Sequence, residues 1–231
     1  MNRMYQPKVS VIIVAYNAEG MRNIFEQCLD SALNLKYDNY EVIVVNNGST
    51  DKTREILEDY EKDLKIINLK QNVGFANANN IAYKKYKSEF VLLLNSDAIP
   101  EQDSLNELIK NSRNKRIGAI GGIQVNYNKN RITSLGINYD IYGNGMVPKD
   151  KIDIDEVQES YYSYIPASFL LVRRKSINDT LFPKEFFMYM EDSNFVSEYG
   201  VEDIMWNYIL LLFIRMNLEQ TQKLLQGEIY F

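Results

Sequence analysis

The chain has 231 residues, a formal charge of −5 at neutral pH, one cysteine and no histidine. The acidic balance gives no hint of nucleic acid, which calls for a basic patch. The single cysteine, Cys28, excludes an intramolecular disulfide. The lack of histidine excludes Ser-His and Cys-His nucleophiles and histidine metal sites, so a metal must take oxygen ligands and a general base is sought among carboxylates.

The length suits one large domain, or one domain with a small appendage. Met1 to Lys8 is polar and has no apolar h-region, so no secretory signal is expected and the chain reads as cytoplasmic. No apolar run reaches transmembrane length.

Val9 to Ala15 is a continuous β-branched run, as expected for a strand buried on both faces. Met21, Phe25, Cys28, Ala32 and Leu35 then recur at helical spacing, and Cys28 reads as core packing. Tyr40 to Val45 predicts a second strand, and Ser49 or Thr50 can cap a helix from Asp51 to about Glu61. Leu64 to Leu69 predicts a third strand, Asn72-Val73-Gly74 a turn into a helix, and Glu89 to Leu94 a fourth strand. Pro100 and its acidic followers predict the start of another helix. Strands alternating with helices argue for βαβ units and a parallel sheet. After Gly118 the pattern changes. Gly121-Gly122, the Asn-rich stretch to Arg131 and the acidic stretch from Lys149 to Glu159 suggest loops and antiparallel additions. Ile165 to Arg173 reads as a strand, and Arg173-Arg174 behind it as solvated.

In an open α/β sheet, ligands sit beyond the carboxyl ends of the strands. The fourth strand ends in Asn95-Ser96-Asp97, which presents an amide and a carboxylate there. Such a pair can hold a divalent cation against a diphosphate, or it can simply turn the chain into the next helix. The first strand ends in Ala15-Tyr16-Asn17, an aromatic ring and an amide. The second ends in Asn46-Asn47-Gly48, two amides and a glycine that lets backbone approach a ligand. Both also suit ordinary βα turns.

Four segments, Val11–Asn17, Val44–Asp51, Asn72–Asn80 and Leu93–Asp97, resemble in order and spacing the family 2 glycosyltransferases with the GT-A fold. A fifth, Phe186–Asp192, is similar to the aromatic stretch ending in Glu-Asp of the rhamnosyltransferase and cell-surface polysaccharide subgroup. The resemblance covers about residues 8 to 195. It implies a Rossmann-like, mostly parallel central sheet flanked by helices with a small antiparallel addition, in a domain over residues 1–200. It implies a metal-dependent inverting transfer of a sugar from a UDP- or dTDP-linked donor to a saccharide or lipid-linked acceptor. Ala15, Tyr16, Asn17, Asn46 and Gly48 would then contact the nucleoside, with Gly74, Phe75 and Asn80 beside the base. Asn95 and Ser96 would meet the donor, and Asp97 would ligate Mg²⁺ or Mn²⁺. Asp192 would be the general base, with Glu191 beside it, and Ala167-Ser168-Phe169 would lie near the acceptor.

The chain departs from the family pattern in two ways. Asn46 stands where the family usually has Asp; an amide oxygen can still accept a pyrimidine N3–H. After about Phe195 the pattern breaks, leaving an apolar tail over residues 201–231. Its run Trp206–Ile214 is open to four readings: a core helix, a membrane-surface helix, an oligomer contact, or a truncated or out-of-frame end. Peripheral contact with the cytoplasmic membrane face follows from the resemblance alone. The competing reading is a nucleotide-sugar-binding module of the same fold that has lost turnover. A nucleotidyltransferase ranks last, because Tyr16–Gly20 lacks a basic, Gly-rich phosphate loop.

Overall fold

A computed structural model of the chain describes residues 5–115, 117–126, 132–134, 136, 138–139, 145–146, 165–177, 179–187 and 209–216. The first half alternates as expected: β1 (Val9–Ala15), α1 (Arg22–Leu33), β2 (Tyr40–Asn46), α2 (Thr53–Glu58), β3 (Lys65–Asn68), α3 (Phe75–Lys85) and β4 (Phe90–Asn95). There follow β5 (Ala98–Pro100), α4 (Ser104–Asn111), β6 (Ala119–Asn126), β7 (Ile132–Ser134), β8 (Asn138–Tyr139), β9 (Gly145–Met146), β10 (Phe169–Arg173) and β11 (Ile209–Met216).

The main sheet runs β3-β2-β1-β4-β10-β6-β11-β5, with β7 paired to β6. The β3-β2-β1-β4 half is parallel. Strand β10 is antiparallel to both β4 and β6, β11 is parallel to β6, and β5 is antiparallel to β11. After β1 the chain builds outward to β2 and β3, then crosses back to place β4 on the other side of β1. That reversal of direction is the topological switch point, where an open α/β sheet leaves a crevice.

Alternation along the strands sorts the core into two layers. Val9, Val11, Ile13 and Ala15 point to one face, where they pack with Phe25 and Leu29 of α1, Ile56 and Leu57 of α2, and Leu105 and Leu108 of α4. Ile12, Ile43, Val45, Val91 and Leu93 point to the other, against Ala76, Ala82 and Tyr83 of α3 and against Leu181 and Phe182. Cys28 is fully buried, as its place among helical apolar residues predicts. Burial pushes its thiol pKa well up, and the nearby Asp97 charge adds to this.

Five local expectations are corrected. Pro100 does not open a helix: it ends the edge strand β5 opposite Ile214, a position where a missing N–H is tolerated, and α4 starts at Ser104. Gly121 and Gly122 lie not in a loop but inside β6, which is antiparallel to β10 and β7 as the expected antiparallel additions would be. Gly121 lets the Ile165 side chain lie directly on the strand, and a Cβ there would collide with Ile165 Cγ2. Strand β10 begins only at Phe169, because Pro166, Ala167 and Ser168 form the turn into it. The two helical readings of Trp206–Ile214 are corrected: its described part is strand, and β11 packs into the sheet between β6 and β5. Arg173 and Arg174 are not simply solvated. They are bonded to the C-terminal ends of α4 and α3.

Candidate functional site

The crevice lies where β1, β2 and β4 end side by side. Register places Val14 against Asn95 and Ala15 against Asn46. The structure therefore brings together Ala15, Tyr16, Asn17, Asn46, Gly48, Asn95, Ser96 and Asp97 at one end of the sheet, as the sequence predicts.

A web of neutral amides and hydroxyls joins the loops around this crevice. Asn17 adopts the left-handed conformation, φ 48° and ψ 53°, which Asn tolerates better than most residues. Its Oδ1 accepts the Thr50 N–H at 2.9 Å, and its own N–H donates to Ser49 Oγ at 3.0 Å. Asn46 is buried; its Nδ2 donates to Asn68 Oδ1 at 2.9 Å and its Oδ1 accepts the Ser49 N–H at 3.2 Å. Asn47 reaches the next loop, donating to Asn72 Oδ1 at 2.9 Å and accepting the Val73 N–H at 3.0 Å. Gly48 has φ 72°, and a Cβ there would stand 2.5 Å from the Asn72 nitrogen. Only glycine lets these two loops touch.

Beneath this web, Asp51 accepts the Thr53 N–H at 3.0 Å, the Thr53 hydroxyl at 2.5 Å and the Glu19 N–H at 2.8 Å. The Thr53 Oγ1 in turn accepts the Ala18 N–H at 2.6 Å. Burial pushes the Asp51 carboxyl up, but the three hydrogen bonds outweigh it and hold the group below its ordinary value.

Gly74, Phe75 and Asn80 lie at and along α3, whose start adjoins the web: Asn47 also donates to the Gly74 carbonyl at 3.4 Å. Gly74 (φ 84°) precedes α3, and the Phe75 N–H donates to the Phe187 carbonyl at 2.7 Å. The Phe75 ring packs at a tilt on Phe182, with centroids 6.1 Å apart. Asn80 is buried and spends both amide atoms on the Phe182 backbone, at 2.8 and 3.1 Å. These residues hold the segment before Phe187.

At the end of β4, the Asn95 N–H donates to the Ser168 carbonyl at 3.0 Å, and Cys28 Sγ donates to the Asn95 carbonyl. Buried Gln124 donates to the Ser168 hydroxyl. Sequence reading missed Gln124; its signal is a lone amide between Ile123 and Val125 in an apolar strand. It also passed over Asn72 and Asp51 as individual site residues, although both lie in the quoted motifs.

Asp97 is half-buried, and desolvation raises its carboxyl pKa. Among the described residues no ion pair compensates it, and no cluster of three or more acidic or cysteine side chains could cage a metal alone. A desolvated carboxylate beside an amide suits a hard cation that draws the rest of its oxygen shell from a ligand. The donor set thus fits a divalent ion. Glu191 and Asp192 lie outside the described residues.

This sheet order, with its crevice at the β1/β4 reversal and a carboxylate at the end of β4, is the GT-A fold of nucleotide-sugar transferases. Residues 10–193 match the family described as Glycosyl transferase family 2, and the chain belongs to that family. An uncharacterized glycosyltransferase of Haemophilus influenzae is 29% identical over 211 residues, covering 87% of this chain and 63% of the relative. A poly-beta-1,6-N-acetyl-D-glucosamine synthase of Staphylococcus epidermidis is 33% identical over 117 residues, covering 49% of this chain and 28% of the relative. This chain thus spans less than two thirds of either relative. Among solved structures, S. aureus TarS 1-349 superposes with a TM-score of 0.67 at 22% identity, covering 96% of this chain and 65% of that one. A mannosyltransferase from Pyrobaculum calidifontis, solved with GDP-Man and Mn²⁺, gives 0.64 at 19% identity, covering 91% and 57%.

Proposed function

We propose that this chain binds a UDP- or dTDP-linked sugar in the β1/β2/β4 crevice and transfers the sugar with inversion to a saccharide or lipid-linked hydroxyl. The observation that carries this reading is the desolvated, half-buried carboxylate of Asp97 at the switch point, which has no ion pair among the described residues and lies beside neutral hydrogen-bonding loops. TarS 1-349 has been solved with UDP-GlcNAc, which makes a UDP-linked N-acetylhexosamine the first donor to test. The S. epidermidis relative is named for the synthesis of poly-beta-1,6-N-acetyl-D-glucosamine, which supports a polysaccharide as the product.

Tyr16 and the loop edges around Asn46 and Gly48 would receive the nucleoside. Asp97 and Asn95 would hold a Mg²⁺ or Mn²⁺ ion, which when bound offsets the charge of the departing diphosphate. Asp192 would accept the proton of the acceptor hydroxyl as its oxygen bonds the anomeric carbon and the carbon–phosphate oxygen bond breaks. The aromatic run Phe186–Tyr189 before it would help keep water from the reacting groups.

A thermal-shift panel of UDP-, dTDP- and GDP-sugars, with and without Mn²⁺, tests the reading, because a ligand that binds only the native state raises its apparent stability. A UDP- or dTDP-sugar should stabilise the chain, and more so with metal. Stabilisation by none of them would end the proposal. The Asp192→Asn variant should keep this shift and lose about 10²–10⁴-fold in transfer.

A further inference from the structure

We propose that Gln124 is a positioning residue that holds the Ser168 hydroxyl as a hydrogen-bond donor to an oxygen of the transferred sugar. This deepens the reading of the crevice as a nucleotide-sugar site and rests on it. Gln124 is 3% exposed and stands in β6 between Ile123 and Val125, both fully buried. An amide in such surroundings costs free energy unless it is bonded, and an apolar side chain would fill the place without that cost. The described partner of this amide is the Ser168 hydroxyl.

Both residues stand at the crevice end of the sheet. Strand β10 is antiparallel to β4 and to β6, so β4 and β6 point the same way. Phe169 lies opposite Leu94, and Leu170 lies opposite both Leu93 and Gly121. That register brings Ser168 and Gln124 level with the Asn95-Ser96 end of β4. The turn that carries Ser168 is fixed at three points. Ile165 lies directly on Gly121, the Ser168 carbonyl accepts the Asn95 N–H at 3.0 Å, and the Ser168 hydroxyl accepts from Gln124.

The third of these contacts sets the polarity of the hydroxyl. An amide nitrogen donates and does not accept, so Ser168 Oγ is the acceptor and keeps its own proton to give. No described residue takes that proton. Ser168 is half-buried, which leaves it open to a ligand. The order of strands says which part of the ligand it meets. Neighbouring strands stand about 4.8 Å apart, so β10 and β6 lie about 5 and 10 Å beyond β4. With the nucleoside over β2 and β1 and the diphosphate at Asp97, the next group along the ligand falls over β10 and β6. That group is the sugar, whose hydroxyl or acetamido oxygens can accept from Ser168.

The test measures affinities by titration calorimetry with Mn²⁺ present. Free UDP and dTDP are set against UDP-GlcNAc, UDP-glucose and dTDP-glucose, and the quantity read is the preference for a sugar nucleotide over its free nucleotide. Ser168→Ala should lose about 3- to 10-fold of that preference while free-nucleotide affinity holds. A larger loss for UDP-GlcNAc than for UDP-glucose assigns the contact to the acetamido oxygen, and an equal loss assigns it to a ring hydroxyl. Gln124→Met should lose part of the same preference, and nothing further in a Ser168→Ala background. Gln124→Leu repeats the measurement if Gln124→Met does not fold. Unchanged preference in Ser168→Ala overturns the proposal. So does an equal loss for free nucleotide and sugar nucleotide, which would move the contact to the diphosphate. A Gln124→Met loss that persists undiminished in Ser168→Ala overturns the positioning role. If the unchanged chain binds UDP or dTDP but prefers none of the sugars, the sugar contact falls and the nucleotide crevice stands. If it binds no nucleotide at all, the functional reading itself falls, and the proposal with it.

Discussion

The two ends of the central sheet use polar side chains in opposite ways. At the crevice end, β1, β2 and β4 finish in amides, hydroxyls and one carboxylate, and the network there is mostly neutral. At the other end, Arg173 and Arg174 leave β10 for opposite faces. Arg173 donates to the Ile117 and Ser112 carbonyls and lies 4.6 Å over the Phe90 ring. Arg174 donates to Ser88, Tyr83 and Tyr86 carbonyls and stacks 3.8 Å over the Tyr83 ring. Each guanidinium thus neutralises the negative end of a helix, α4 for Arg173 and α3 for Arg174. One end satisfies its charges and is built for stability. The other leaves the Asp97 carboxylate desolvated, with no ion pair among the described residues.

Asp97→Asn should break this contrast most sharply. Removing the carboxylate should abolish the metal-dependent part of the UDP shift and lower transfer by the several kcal/mol a bound cation can supply to a developing anion. Without ligand the same variant should melt no lower than the parent at pH 7. The sign follows from the raised pKa. A carboxyl raised in the fold contributes stability below its unfolded pKa and loses it as pH rises through the folded one. Removing its charge therefore relieves the fold. A metal-dependent shift that survives in Asp97→Asn would move the cation elsewhere.

Arg174→Ala should do the reverse. It strips charged hydrogen bonds from several carbonyls and a cation from an aromatic face, and should cost about 2–4 kcal/mol in urea unfolding. UDP affinity should be unchanged once the variant is folded. An affinity loss matching the stability loss would mean the two ends are not separable.

Gly48→Ala should fall between them. The positive φ alone costs about 1–2 kcal/mol for a residue with a Cβ, and the collision with Gln71 and Asn72 adds to it. Because those residues join two crevice loops, the variant should lose both stability and nucleotide affinity. Intact affinity would place the nucleoside away from this loop.

Which parts of this contrast the sequence exposes depends on how local their causes are. The β-branched run Val9–Ala15 is buried on both faces wherever it packs, so its strand is legible alone. The strand-end residues from Ala15 to Asp97 converge because parallel βαβ units force them to, and that too is legible. Strand β11 is not: an eight-residue apolar run is compatible with helix or strand. It is strand here because β6 and β5 present ladder partners. The Arg173-Arg174 pair shows only charge in sequence; its partners at Tyr83 and Ser112 are 91 and 61 residues away. Asn80 sits in a recognisable motif, yet its hydrogen-bond partner is Phe182, 102 residues away, so the motif flags the residue without disclosing this contact.

The smallest effect should come from Asp51, which links the crevice web to the core beneath it. Its carboxylate ties three donors, from Glu19 and Thr53, so Asp51→Asn weakens rather than removes the contacts. A loss of about 0.5–1.5 kcal/mol at pH 7 is expected. The pH dependence is more telling than the size. The carboxyl is held below its ordinary value, so its contribution is present above the unfolded carboxylate pKa and is lost as pH falls through the lower folded one. The parent should therefore lose stability on acidification more steeply than Asp51→Asn, and the two melting curves should approach each other at low pH. Asp97 acts in the opposite direction over the adjoining range above the unfolded carboxylate pKa, so the double variant Asp51→Asn/Asp97→Asn should have a flatter acid profile than Asp51→Asn alone. If the Asp51→Asn profile stays parallel to the parent's down to the acid limit, the hydrogen bonds from Glu19 and Thr53 do not favour the ionised form, and the crevice end contains no charge that the fold itself stabilises.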